Sequence, residues 1–100
     1  MRKYDNGLSA AGKEIREIRE RQGKSIVDVA NELNGSYWDV MKVERGERRL
    51  PYYEVTAWAK ALSTEENLIS PGYLARCLVH HYDPSLLAII SPVNFESAAA

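Results

Sequence analysis

The chain has little of what usually declares a chemistry. It contains one cysteine, Cys77, in 100 residues. No intramolecular disulfide can therefore form, and a reducing, cytosolic setting is the expectation. No apolar run approaches the roughly 18 residues of a membrane-spanning helix. The opening stretch MRKYDNGLSA carries two positive charges with no apolar segment behind them, which is not the pattern of a secretory signal. Phosphate loops of the forms G-x-x-x-x-G-K-[ST] and G-x-G-x-x-G are both missing, which leaves nucleotide chemistry without support. Net charge is lacking too: 13 Lys and Arg against 14 Asp and Glu give −1. That balance argues against a nonspecific polybasic binder. It does not argue against nucleic-acid binding, where the placement of charge matters more than its sum.

What is present is the composition of a small globular chain, 45% hydrophobic and 27% charged, with room for one domain and no deep-clefted enzyme fold. The charge is unevenly placed. Residues 11–62 hold ten Lys or Arg and nine Asp or Glu, whereas 63–100 hold Arg76 and four acids. This divides the chain into an N-terminal arm (1–10), a charged helical domain (11–66), an apolar and acidic C-terminal helical extension (67–94) and a frayed, disordered tail (95–100). No alternating run bounded by hairpin turns is visible, so the expected class is all-α.

Apolar spacing and punctuation predict the helices. Ile15 and Ile18 stand three apart in a helix over about 11–22, which Gly23 ends. Ser25 starts a second helix, with Asp28 three residues on as a capping-box partner. Val29, Ala30 and Leu33 supply its apolar side. Asn34 and Gly35, both tolerant of positive φ, end it, and Ser36 caps a third helix with Val40 and Val43 inward and Gly46 at its close. Pro51 marks a loop before a fourth helix at about 53–62. Two short helices joined by an Asn-Gly-Ser turn have the form of a helix-turn-helix, whose second helix enters the DNA major groove.

Residues 15–62, about half the chain, resemble the Xre/Cro/phage-repressor (lambda-repressor-like) helix-turn-helix family. The anchors are Ile15, Ile18 and Arg19; Gly23 and Ser25; Ala30 and Leu33; Ser36; Val43-Glu44-Arg45-Gly46; Pro51 and an aromatic at Tyr53; and Ala59-Lys60-Ala61-Leu62. Three positions depart from the family pattern. Ile26 stands where Gln often reaches a phosphate, the turn reads Leu33-Asn34-Gly35-Ser36, and Tyr37 and Trp38 replace the usual polar residues at the start of the third helix.

The resemblance implies a bundle of four to five helices and a sequence-specific DNA-binding regulator, expected to be a repressor on an inverted-repeat operator. It is not expected to be an enzyme or to need a cofactor. Ser36, Tyr37, Trp38, Asp39 and Lys42 would face base edges. Lys42 can donate to guanine, Asp39 can accept from cytosine N4, and the two aromatics can pack on thymine methyls. Ser25, Arg45, Arg48, Arg49 and Tyr52 would contact phosphates, and Tyr53 would pack inward. Arg19 and Glu44 would form an architectural ion pair between the first and third helices. The expected setting is a prokaryotic or phage-encoded protein of the nucleoid.

The extension offers less. Pro71 suits the first turn of a helix ending near Tyr82, and a second short helix fits Pro84–Ile90. Cys77, His80 and His81 would share one helical face, yet three ligands are short of a zinc site, and no third group orients a Cys–His nucleophile, so neither metal binding nor catalysis is expected. Leu74, Leu78, Val79, Leu86, Leu87 and Ile90 exceed what a small core needs and are read as a homodimer interface. The alternative function is that of an antitoxin whose C-terminal segment masks a toxin partner.

Overall fold

The structure, a computed structural model, describes residues 7–87. It is all-helical: α1 (Leu8–Arg21), α2 (Ile26–Leu33), α3 (Tyr37–Glu44), α4 (Val55–Leu62) and α5 (Pro71–Tyr82). Single 3₁₀ turns stand at Tyr52–Glu54 and Pro84–Leu86, and the described residues contain no strand. None of the helices found there is long and apolar enough to cross a membrane.

Helix ends fall where local chemistry puts them. The Ser25 hydroxyl accepts from the Asp28 N–H at 3.0 Å and the Asp28 carboxylate accepts from the Ser25 N–H at 2.9 Å, a complete capping box. Ser36 caps α3 and Ser70 caps α5 by single bonds of the same kind, to the N–H groups of Asp39 and Tyr73. Three helices close with a Schellman motif. Gly23 and Lys24 donate back to Glu20 and Arg19; Asn34 and Gly35 to Asn31 and Ala30; Gly46 and Glu47 to Val43 and Lys42. In the middle case Asn34, at φ 55°, is the left-handed residue, and Gly35 is not at positive φ.

The core brings all five helices together. Ile15 and Ile18 of α1, Val29 of α2, Val40 and Val43 of α3, Trp58 and Leu62 of α4 and Leu50 of the intervening loop are buried with Leu74, Leu78 and Tyr82 of α5 in one cluster. α1 packs on α3 and α5, α2 on α3 and α4, and α4 on α5. The extension is therefore integral to the core, which corrects the division at 66/67. Leu74 and Leu78 are fully buried and Val79 is 6% exposed. Leu74 and Leu78 cannot be a dimer interface, because the helices beneath them need that apolar surface for their own cover. Leu86 is exposed and Leu87 half-buried. Residues 88–90 of the expected last helix, Ile90 among them, and the 95–100 tail lie outside the described residues, as do residues 1–6 of the arm. Residues 8–10 belong to the first turn of α1, behind a left-handed Gly7 at φ 80°. A Cβ on Gly7 would strike the His81 carbonyl at the end of α5.

Candidate nucleic-acid interface

α3 is held from one side and bare on the other. Its inner side, Val40 and Val43, is fully buried. Arg19 grips its C-terminal end: Nε donates to Glu44 Oε2 at 2.6 Å, Nη2 to Oε1 at 2.9 Å, and Nη1 to the Lys24 carbonyl at 2.9 Å. One guanidinium thus ties α3 to the Schellman turn of α1, and the Glu44 bond keeps Arg19 protonated above its ordinary value. Gly12 sets the distance, because a Cβ there would collide with the carbonyl oxygens of Val43 and Glu44. A glycine inside an otherwise good helix costs about 1 kcal/mol against alanine, so its position is itself a signal of close approach.

The outer side carries the candidate base-facing residues. Ser36, Tyr37, Trp38, Asp39 and Lys42 are all exposed. Trp38 is 62% exposed, so it is no part of the core, and its ring meets Tyr37 edge to face at 5.5 Å. Trp38 and Lys42 stand four apart and Asp39 and Lys42 three apart, which puts the indole, the carboxylate and the ammonium on one strip.

The candidate phosphate contacts are more constrained than the sequence suggests. Ser25 is exposed, but its hydroxyl is engaged with Asp28, accepting from the Asp28 N–H and lying against the Asp28 carboxylate. Arg45 lies 3.7 Å from Glu47, Arg48 lies 3.5 Å from Glu54, and Arg49 pairs with Asp83. All three arginines thus face a carboxylate of their own chain. The Tyr52 hydroxyl donates to Asp83 at 2.6 Å. Burial first, then the Asp83 carboxylate, pushes the Tyr52 phenol up to about 12. Tyr53 corrects an expectation. It is 87% exposed and points away from the core, because the 3₁₀ turn at Tyr52–Glu54 delivers Val55, not an aromatic, to the interior.

Sequence reading missed Gly12, Glu54 and Asp83. Gly12 left a local trace, Glu54 sits six residues from Arg48, and Asp83 acts across folded distance. On the far side of α1, Glu14 accepts from the Cys77 thiol at 3.2 Å and lies 2.6 Å from His81 Nε2, while His80 is turned outward. Cys77, His80 and His81 lie on one side of α5, with the two imidazole rings 5.0 Å apart and His80 at the solvent edge. Burial first, then Glu14, pushes the Cys77 thiol up to about 11, which keeps it protonated and a poor nucleophile at neutral pH. Among the described residues no three His, Cys, Asp or Glu side chains are grouped to hold a metal ion.

No family model, curated protein or solved structure matches this chain.

Proposed function

We propose that this chain is a sequence-specific DNA-binding regulator of the Xre/Cro/phage-repressor, lambda-repressor-like type, repressing transcription by occupying an operator. The observation that carries the reading is the mounting of α3. It is a capped helix joined to α2 by a three-residue turn, clamped on its inner face by Arg19 and Gly12, with Tyr37, Trp38, Asp39 and Lys42 exposed on its outer face. Eight residues span about 12 Å, which fits a major groove of about the same width. In that groove Lys42 donates to guanine O6 or N7, Asp39 accepts from cytosine N4, and Tyr37 and Trp38 cover thymine methyls. Ser25, Arg45, Arg48, Arg49 and Tyr52 set the register on phosphates.

A homodimer on an inverted repeat is the expected assembly, because one module of this size buries only about 600–1,000 Å² on DNA. Of the apolar residues expected to form its interface, Leu86 and Leu87 are the described ones that stay available for it. The antitoxin alternative draws less support, since Leu74, Leu78 and Tyr82 of α5 lie inside the shared core.

Selection of bound duplexes from a random DNA pool tests the reading. Enrichment of a short motif, repeated with two-fold symmetry and half-sites about 10–11 base pairs apart, is the expected outcome. A pool that stays unenriched after repeated rounds would remove DNA reading as the function.

A further inference from the structure

Among the three arginines after α3, Arg49 differs from the others in where its carboxylate comes from. Glu47 and Glu54 lie close by in sequence, whereas Asp83 lies 34 residues on, at the C-terminal cap of α5. The Arg49 guanidinium and the Tyr52 hydroxyl both donate to the same atom, Asp83 Oδ2. The guanidinium is stacked 4.5 Å from the centre of the Tyr82 ring and 5.5 Å from that of Tyr52. Tyr82 is a fixed platform: it is buried, and its hydroxyl accepts from the Leu50 N–H at 3.0 Å. The pair itself is open to solvent, with the Arg49 and Asp83 side chains 42% and 33% exposed. An anionic oxygen is thus held by two convergent donors, one of them charged, on an aromatic floor that solvent can reach. Those are the requirements for binding a non-bridging phosphate oxygen.

We propose that Asp83 is the internal occupant of a phosphodiester site formed by Arg49 and Tyr52, so that the end of α5 competes with the DNA backbone for that site. The inference rests on the DNA-binding reading above. Binding there exchanges one anion for another. Little attraction is gained on DNA of arbitrary sequence, and discrimination falls to the base-facing side of α3. α5 thereby sets affinity through a residue that need not touch DNA.

The test compares the intact wild-type chain, Asp83→Asn, Arg49→Gln and the double variant for binding to a labelled random-sequence duplex and to any selected site, across a salt series. The asparagine substitution keeps an oxygen for Tyr52 but loses the charge. Asp83→Asn is expected to bind about five- to tenfold tighter near 0.1 M salt, because Arg49 no longer gives up a carboxylate to take the phosphate. In the Arg49→Gln background the same change should have no effect. Circular dichroism melts establish that each variant is folded. Unchanged or weaker binding by folded Asp83→Asn, with wild type still binding, overturns the proposal alone. Equal tightening with and without Arg49 overturns it as well, since Asp83 would then act as a general repulsive charge. Failure of every variant on every duplex removes the DNA-binding reading, and this inference with it.

Discussion

The guanidinium of Arg19 and the carboxylate of Glu44 meet as a two-pronged pair, at 2.6 and 2.9 Å, with side chains only 10% and 5% exposed. A third donor of the same guanidinium holds the Lys24 carbonyl. The end of α1 and the end of α3 are therefore one polar unit beneath the exposed side of α3.

Truncating one partner of this pair strands the other charge. Glu44→Ala is expected to cost about 3 kcal/mol of stability, within the range for breaking a buried pair. Glu47→Ala, which removes only an exposed contact 3.7 Å from Arg45, should stay within about 0.5 kcal/mol. Urea unfolding of the two variants side by side checks this, and equal shifts would show that the pair is not structural.

Gly12 faces backbone, not a flexible side chain, so a methyl group there can be accommodated only by moving a helix. Gly12→Ala is expected to destabilise by about 1–3 kcal/mol despite the gain in helix propensity. A melting temperature at or above wild type would mean that α1 and α3 separate at little cost.

Trp38 and Lys42 separate function from folding. Both are exposed, so Trp38→Ala and Lys42→Ala should change stability by no more than about 0.5 kcal/mol. On the selected operator Lys42→Ala should lose about 1–3 kcal/mol and relax preference at one base position. Equal loss on operator and random DNA would make Lys42 a phosphate contact. Fluorescence offers a parallel check: Trp38 is open to solvent and Trp58 is 2% exposed. Operator DNA should therefore quench wild type and leave the emission of Trp38→Phe nearly unchanged.

Acid should act on the α2 cap. The Ser25 backbone N–H first, and its hydroxyl second, hold the Asp28 carboxyl below the usual carboxylate range. A carboxyl lowered by folding adds stability above its unfolded pKa, and that stability disappears as pH falls through the folded value. The melting-temperature gap between wild type and Asp28→Asn should therefore be constant near pH 6 and close as pH is lowered through about 4 toward 3. A gap unchanged at about pH 3 would show that the cap does not depend on the charge.

Local signals in this chain were legible wherever one or two turns of backbone settle the matter. Ser25 with Asp28, Ser36, Gly23 and Gly46 mark helix ends because orphan N–H and C=O groups must be satisfied within a few residues. The inward positions of α1 to α4 follow from apolar spacing, and the Arg19–Glu44 pair from resemblance, since nothing in a separation of 25 residues dictates it. The candidate base-facing strip was legible for a related reason: once Val40 and Val43 face inward, helix geometry sends Tyr37, Trp38, Asp39 and Lys42 elsewhere.

The outward turn of Tyr53, the use of Leu74 and Leu78 as core and the seating of Asp83 on Arg49 were not legible. An apolar helix face reads the same whether it covers its own core or a partner, and the choice depends on how much surface the other helices leave uncovered. Likewise an arginine after α3 shows its charge in sequence but not the carboxylate that a later helix brings to it. The sequence by itself determined an all-α chain, the ends of α2 and α3 and the inward side of the first four helices, because these depend on periodicity and on bonds closed within a turn. Only the tertiary structure decided that α5 completes the core and that its last residues hold Arg49 and Tyr52, because those contacts join groups more than 30 residues apart and exist only once the helices have packed.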